Sequence, residues 1–208
     1  RNRIKKNIIS KEEKFELLSR VLPSHQLRGE FSAFLKHVNN QKPNVIVEIG
    51  TADCGTHLLL SELIPGKKMM IAIDLEIRNT MTCKLFNSNG DQKFFISGSS
   101  HDNRTYNRLT KLLNNSKIDL LFIDGDHSYV GVKKDFEIYK SFVSDKGIIA
   151  FHDIVPDIFS RTGTKTNSYV GEVPKFWSEI KNNYNSLEFI ESSKQDGCGI
   201  GVIHFEKT

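Results

Sequence analysis

Short, almost wholly apolar segments recur along the chain, and amphipathic stretches separate them. Residues 45–49, 69–73, 93–96, 118–123 and 147–151 are such segments. The stretches between them, 56–63, 78–86, 105–113 and 129–143, repeat their apolar residues at helical spacing. Strands that are apolar on both faces belong to a parallel sheet covered by helices on each side. A further helix is expected in VPKFWSEIKNNY, with Trp177 in the core. The last two apolar runs, SLEFI and GIGVIHF, flank a polar turn containing glycine and are expected to pair antiparallel. The fold class is therefore α/β, a three-layer sandwich around a mostly parallel sheet.

The 208 residues suit one domain with a sizeable core. Two helices at residues 11–22 and 29–38 precede the first strand. Residues 1–42 are expected to form a helical cap on a domain spanning 43–208, with Phe15 and Phe34 as packing residues. A dimer contact through this cap, and so a homo-oligomer, is one expectation. Net charge is +4 and the basic residues are scattered, so nucleic-acid binding is not expected. No run approaches the length of a membrane span. The N-terminal stretch is basic but lacks the apolar core of a signal peptide. Three Cys without CxxC spacing exclude a disulfide scaffold and point to a reducing compartment, the cytoplasm.

Ligands in such sheets sit beyond the carboxyl ends of the strands, where strand order reverses. Gly50 follows the first strand directly, and Gly55 flanks the next helix. The first allows a tight turn and close approach of a ligand to the backbone. The helix start offers free N–H groups. The spacing is neither GxGxxG nor a Walker sequence, which argues against dinucleotides and nucleoside triphosphates. Glu48 is an acid in an apolar strand and needs a partner. It either faces the pocket or holds the glycine loop. Asp74 ends the second strand, where an acid can accept from both hydroxyls of a ribose. Together these features point to a nucleoside-containing cofactor.

The stretches at 45–51, 122–139 (FIDGDHSYVGVKKDFEIY) and 147–154 (GIIAFHDI) carry a resemblance. EVPKFWSEIK and GCGIGVI add to it. The chain resembles class I S-adenosylmethionine-dependent methyltransferases over residues 43–205. Within them it is similar to the bacterial group that includes macrocin-type sugar O-methyltransferases and proteins labelled cephalosporin hydroxylase. The resemblance implies a seven-stranded Rossmann-like sheet with the last strand antiparallel. It implies cofactor contacts from Glu48, Gly50, Thr51, Ala52 and Gly55, with Asp74 on the ribose, Ser99 near the adenine and Asp124 at the cofactor's edge.

Asp124, Asp126 and His127 follow the fourth strand, and His152 and Asp153 end the fifth. Five ionisable groups should therefore converge at one sheet edge. In metal-dependent relatives the positions of Asp124 and Asp153 hold a hard cation, magnesium being the expected one. The third ligand of those relatives is absent, since Ile154 stands there. His127, His152 and Asp126 are the candidate catalytic groups, with His127 favoured as base. The polar stretch 155–171 brings Asp157, Arg161, Lys165, Thr166 and Tyr169 toward the acceptor. The implied reaction is methyl transfer to a hydroxyl of a small molecule, a sugar or a glycosylated natural product. The alternatives are a non-catalytic methyltransferase-like binding protein and an iron-dependent hydroxylase.

Overall fold

A computed structural model describes residues 10–206. Its elements follow the order α1 (Lys11–Val21), α2 (Arg28–Gln41), β1 (Val45–Ile49), α3 (Gly55–Leu63), β2 (Met69–Asp74), α4 (Thr80–Leu85), β3 (Gln92–Ser97), α5 (Asn103–Leu113), β4 (Ile118–Ile123), α6 (Tyr129–Tyr139), β5 (Val143–His152), α7 (Ile158–Thr162), α8 (Val173–Ile180), β6 (Asn185–Phe189) and β7 (Ile200–Phe205). The sheet order is β3-β2-β1-β4-β5-β7-β6. β1 to β5 run parallel, and β7 lies between β5 and β6, antiparallel to both. This is the class I methyltransferase fold. Among the described residues no helix is long and apolar enough to cross a membrane.

Strand alternation divides the core in two. Val47, Ile49, Ile71, Leu121 and Ile149 face α5, α6 and α8. Ile46, Met70, Leu120, Phe122 and Ile148 face α1, α2 and α3. Phe15, Phe31 and Phe34 continue the second core outward, ring against ring. The two N-terminal helices therefore form part of one layer of the sandwich. α1 starts at a capping box, in which Ser10 and Glu13 each accept the other's backbone N–H. Trp177 is buried, and its indole N–H donates to Glu188 at 2.6 Å.

Element boundaries differ from the periodicity at several places. The helix expected over 129–143 stops at Tyr139 and a single tight turn leads into β5. Val143 pairs with Ile118, but Ile148 pairs with Leu120, so the intervening residues bulge out of the ladder. α4 starts at Thr80, because Arg78 is used as a tether: its guanidinium grips both oxygens of Asp53 at 2.8 and 2.9 Å. The polar stretch after β5 contains α7, which Asp157 caps by accepting the Ser160 N–H.

His37 of α2 and His204 of β7 meet with their Nε2 atoms 3.1 Å apart, beside the Phe189 ring. One ring must donate and the other accept, so a second proton has no place between them. Burial first, and His204 second, lower the His37 pKa below the ordinary 6.5. The unfolded chain therefore binds protons that the folded chain resists. The contribution of His37 to stability is therefore full above pH 6.5 and falls as pH drops below that value. The difference in urea midpoint between the parent chain and His37→Gln should shift in favour of the variant as buffers go from about pH 8 to mildly acidic values.

Candidate functional site

A cavity of about 780 Å³ opens at the carboxyl ends of β1, β2, β4 and β5. Strand order reverses between β1 and β4, and the cavity lies across that reversal. Its size is within the range of cofactor and substrate pockets. Gly50, Thr51, Ala52, Asp74, Ser99 and Asp124 line it, as do Asp126, His127, His152 and Asp153.

Gly50 has φ +83, and a Cβ there would collide with the Asp124 carbonyl. The backbone after β1 thus lies directly on the backbone after β4. The Gly50 N–H donates to Ile73 O and the Asp124 N–H to Ile49 O, so three strand ends are stitched together. Gly55 serves a different contact: a Cβ there would strike the Pro23 carbonyl. The α1–α2 linker therefore rests on the start of α3, and Pro23, Ser24 and His25 roof the cavity.

Glu48 does not line the cavity. In β1 it alternates with Val47 and Ile49 and so turns toward α3. There it accepts from the Thr51 hydroxyl at 2.8 Å and meets His57 Nδ1 at 2.9 Å, all three side chains buried. Burial raises its pKa, while His57 and Thr51 oppose the rise. The expected direct contact with a cofactor is corrected to a brace that holds the glycine loop on α3. Asp74 does face the cavity. One oxygen accepts the Ala52 N–H at 2.7 Å and the other the Glu76 N–H at 3.1 Å. Ser99 Oγ accepts the His101 N–H at 3.2 Å.

On the other side Asp124, His127, His152 and Asp153 lie against one another. Asp124 Oδ1 lies 3.2 Å from His152 Nδ1 and 3.5 Å from His127 Nε2. Asp153 Oδ1 lies 3.4 Å from His152 Nδ1, and its Oδ2 lies 3.6 Å from His127 Nδ1. Burial alone would raise the Asp124 pKa, but His152 and then His127 outweigh it and hold the carboxyl at about 2. Burial would lower the pKa of His152, yet Asp124 carries it well above the ordinary value. A hydrogen bond to Asp124 raises His127 in the same direction, against its burial. Burial, with the Asp124 charge, raises Asp153. Asp124, His127 and Asp153 each bring a donor atom within 4.8 Å of the others.

Asp126 is less suited to catalysis than its position suggested. Its carboxylate accepts the Ser128 N–H at 2.9 Å and packs over Gly131, which keeps it ionised and holds the start of α6. In the polar loop, Tyr169 lines the cavity with Asn167 and Ser168. Its ring stacks on His127 at 5.9 Å and 11°. Lys165 and Thr166 are exposed and outside the lining. Asp157 is buried as a cap, and Arg161 donates to the carbonyls of Ser193, Lys194 and Gln195.

Sequence reading missed Gln26, His101, Asp135 and Cys198. His101 lines the cavity and pairs with the wholly buried Asp135 at 3.1 Å. Asp135 shares the buried face of α6 with Val132, Phe136 and Tyr139, and an acid at that helical spacing was the available signal. Gln26 reaches Asp124 from the roof at 3.4 Å.

The model of a methyltransferase domain matches residues 47–154. The chain belongs to this family. The matched residues run from β1 to the segment after β5, so they contain both walls of the cavity. The protein R132 of Acanthamoeba polyphaga mimivirus is 37% identical over 113 residues, 51% of this chain and 50% of that protein. The protein y4gI of Sinorhizobium fredii is 29% identical over 86 residues, 41% of this chain and 8% of that protein. The chain thus spans half or less of the length of these relatives. The methyltransferase fold also matches an O-methyltransferase of Bacillus cereus solved with S-adenosylhomocysteine, with TM-score 0.59 and 17% identity, over 97% of this chain and 94% of that one. TomG of Streptomyces achromogenes, an O-methyltransferase solved with S-adenosylmethionine, aligns with TM-score 0.58 and 12% identity over 96% and 91%.

The Glu48 brace yields a prediction. Glu48→Ala leaves His57 and Thr51 without their buried partner and should cost about 3 kcal/mol of stability. Glu48→Gln retains an acceptor and should cost about 1 kcal/mol. Urea unfolding measures both, and equal losses would contradict the brace.

Proposed function

We propose that the chain transfers a methyl group from S-adenosylmethionine to a hydroxyl of a small neutral molecule, a sugar or sugar-bearing natural product. The observation that carries this reading is the two-sided cavity. Gly50, Ala52, Asp74 and Ser99 form one wall, and Asp124, His127 and Asp153 the other. The first wall fits the cofactor. Gly50 leaves the backbone bare, and each Asp74 oxygen keeps a lone pair for a ribose hydroxyl after its backbone bond. S-adenosylmethionine, when bound, supplies a methyl group made electrophilic by its sulfonium. The family match and the folds solved with S-adenosylhomocysteine and S-adenosylmethionine support the same choice.

The protein's own work is to align the acceptor and to take its proton. His127 Nδ1 lies 3.3 Å from the Tyr169 carbonyl, which fixes the ring proton there. That leaves Nε2, on the Asp124 side, as the basic atom. The proton taken at Nε2 is stabilised by the Asp124 carboxylate. His152 is buried under the cluster and orients Asp124, so it is the second choice as base. A divalent cation, magnesium in the sequence reading, would be held by Asp124 and Asp153 with His127 beside them. It would supply Lewis acidity that lowers the acceptor hydroxyl's pKa. Ile154 is packed in the core and gives no third oxygen.

The lining also bears on the acceptor. Asp53, Asp74, Asp124, Asp126, Asp153 and Asp196 line the cavity, and among the described residues no Lys or Arg does; Arg78 meets Asp53 from outside the lining. The chain carries 29 Lys and Arg in all, so this wall runs against the overall balance. Such a cavity disfavours phosphorylated and carboxylated acceptors. Tyr169, Asn167 and Ser168 offer a ring face and polar groups suited to a sugar.

Asp74→Ala should weaken S-adenosylhomocysteine affinity about tenfold or more, from the loss of bonds worth about 1.5–3 kcal/mol each. Calorimetric titration of the folded variant checks this, and unchanged affinity would remove Asp74 from the ribose. His127→Ala should slow methyl transfer to a panel of glycosides by about a hundredfold or more while sparing S-adenosylhomocysteine affinity. Single-turnover formation of S-adenosylhomocysteine measures the rate. A wild-type rate in this variant would exclude His127 as the base.

A further inference from the structure

Behind the acid pair the cavity wall has a second set of donors. Cys198 sits between Gly197 and Gly199 with φ +58. Its N–H donates to Asp153 Oδ1 at 3.1 Å, and its carbonyl accepts the Val155 N–H at 3.0 Å. These bonds fix the turn before β7 against the end of β5. They place the thiol beside His152 and Asp153. One donor atom from each of His152, Asp153 and Cys198 lies within 4.8 Å of the other two.

His152 supplies the observation that asks for a ligand. Its side chain is 3% exposed, and its Nε2 makes no hydrogen bond. A buried ring nitrogen without a partner is costly. Nδ1 faces Asp124 at 3.2 Å and Asp153 at 3.4 Å, so an ion bound among these groups would take the place of a ring proton. A carboxylate behind a histidine is the usual arrangement for orienting a metal-binding imidazole. Cys198 and Cys54 are both free thiols, but only Cys198 lines the cavity.

We propose that His152, Asp153 and Cys198 bind a borderline transition ion of the zinc class. The donors are one imidazole, one carboxylate and one thiolate. A thiolate has little affinity for magnesium and selects softer ions. Bond lengths of about 2.0–2.3 Å bring the donors of one tetrahedral ion to about 3.3–3.8 Å apart. On binding, the thiol proton and one ring proton of His152 pass to solvent, and the sulfur and the freed nitrogen become ligands. Three protein ligands leave the fourth position open toward the cavity. The site shares Asp153 with the cation position of the acceptor wall, so two ions would compete for that carboxylate, and its donors include none of the cofactor-wall residues Gly50, Asp74 and Ser99.

Titration of the whole chain with cobalt(II), followed by absorption, tests the proposal. The expected result is a thiolate-to-cobalt charge-transfer band in the near ultraviolet that saturates at one equivalent. Zinc should abolish it and excess magnesium should leave it unchanged. Cys198→Ser and Cys198→Ala, each shown to be folded by circular dichroism, should lose the band and bind cobalt about tenfold or more weakly. Absence of the band in the parent chain, its survival in both variants or its displacement by magnesium would overturn the site. Calorimetry of the same sample with S-adenosylhomocysteine reads the cofactor wall separately, so failure of one reading is distinguishable from failure of the other.

Discussion

The cavity depends on a contact between two backbones. After β1 the chain turns at Gly50 and lies on the carbonyl of Asp124 at the end of β4. Only a residue without a Cβ and with access to positive φ can make that turn. The contact sits where strand order reverses, so the connections after β1 and β4 leave in opposite directions and a crevice opens between them. Glu48 holds one side of the crevice through Thr51 and His57. Asp74 holds the loop from the other strand by accepting the Ala52 N–H. A ligand wall is thereby preorganised before any ligand arrives.

Electrostatics divides the two walls. Around Asp124, two imidazoles compensate one fully ionised carboxylate, and Asp153 is pushed toward its neutral form by burial and by that neighbour. A proton taken at His127 lies against the ionised Asp124 carboxylate. The same crowding creates donors for a cation. Asp124 and Asp153 supply hard oxygens, and His152 and Cys198 supply nitrogen and sulfur beside them. The N-terminal linker adds a roof, because Pro23 can rest on Gly55 only where no side chain intervenes.

Much of this was legible in the chain. The five parallel strands declared themselves by apolar runs, and the antiparallel last strand by its polar turn. Asp124, His127, His152 and Asp153 could be brought together because they end adjacent parallel strands. The position of Glu48 in β1 was also legible, but its partner was not. His57 is nine residues away, and only packing of α3 on β1 brings the two rings of contacts together. Asp126 follows the same strand as Asp124, yet a local backbone bond to Ser128 decides its use. The early start of β5 at Val143 escaped periodicity because a bulge interrupts the ladder.

The sequence by itself determined the layers, the sheet edge that carries the chemistry and the residue types that stand there. Those follow from local rules: strand and helix periods, glycine after a strand, acids at strand ends. Tertiary structure decided which face each polar residue takes and what it meets. It turned Glu48 inward, paired His101 with Asp135, seated Tyr169 on His127 and brought Cys198 from the far end of the chain to His152. These are contacts between residues distant in the chain. They exist only because the core excludes every other arrangement of the elements that carry them.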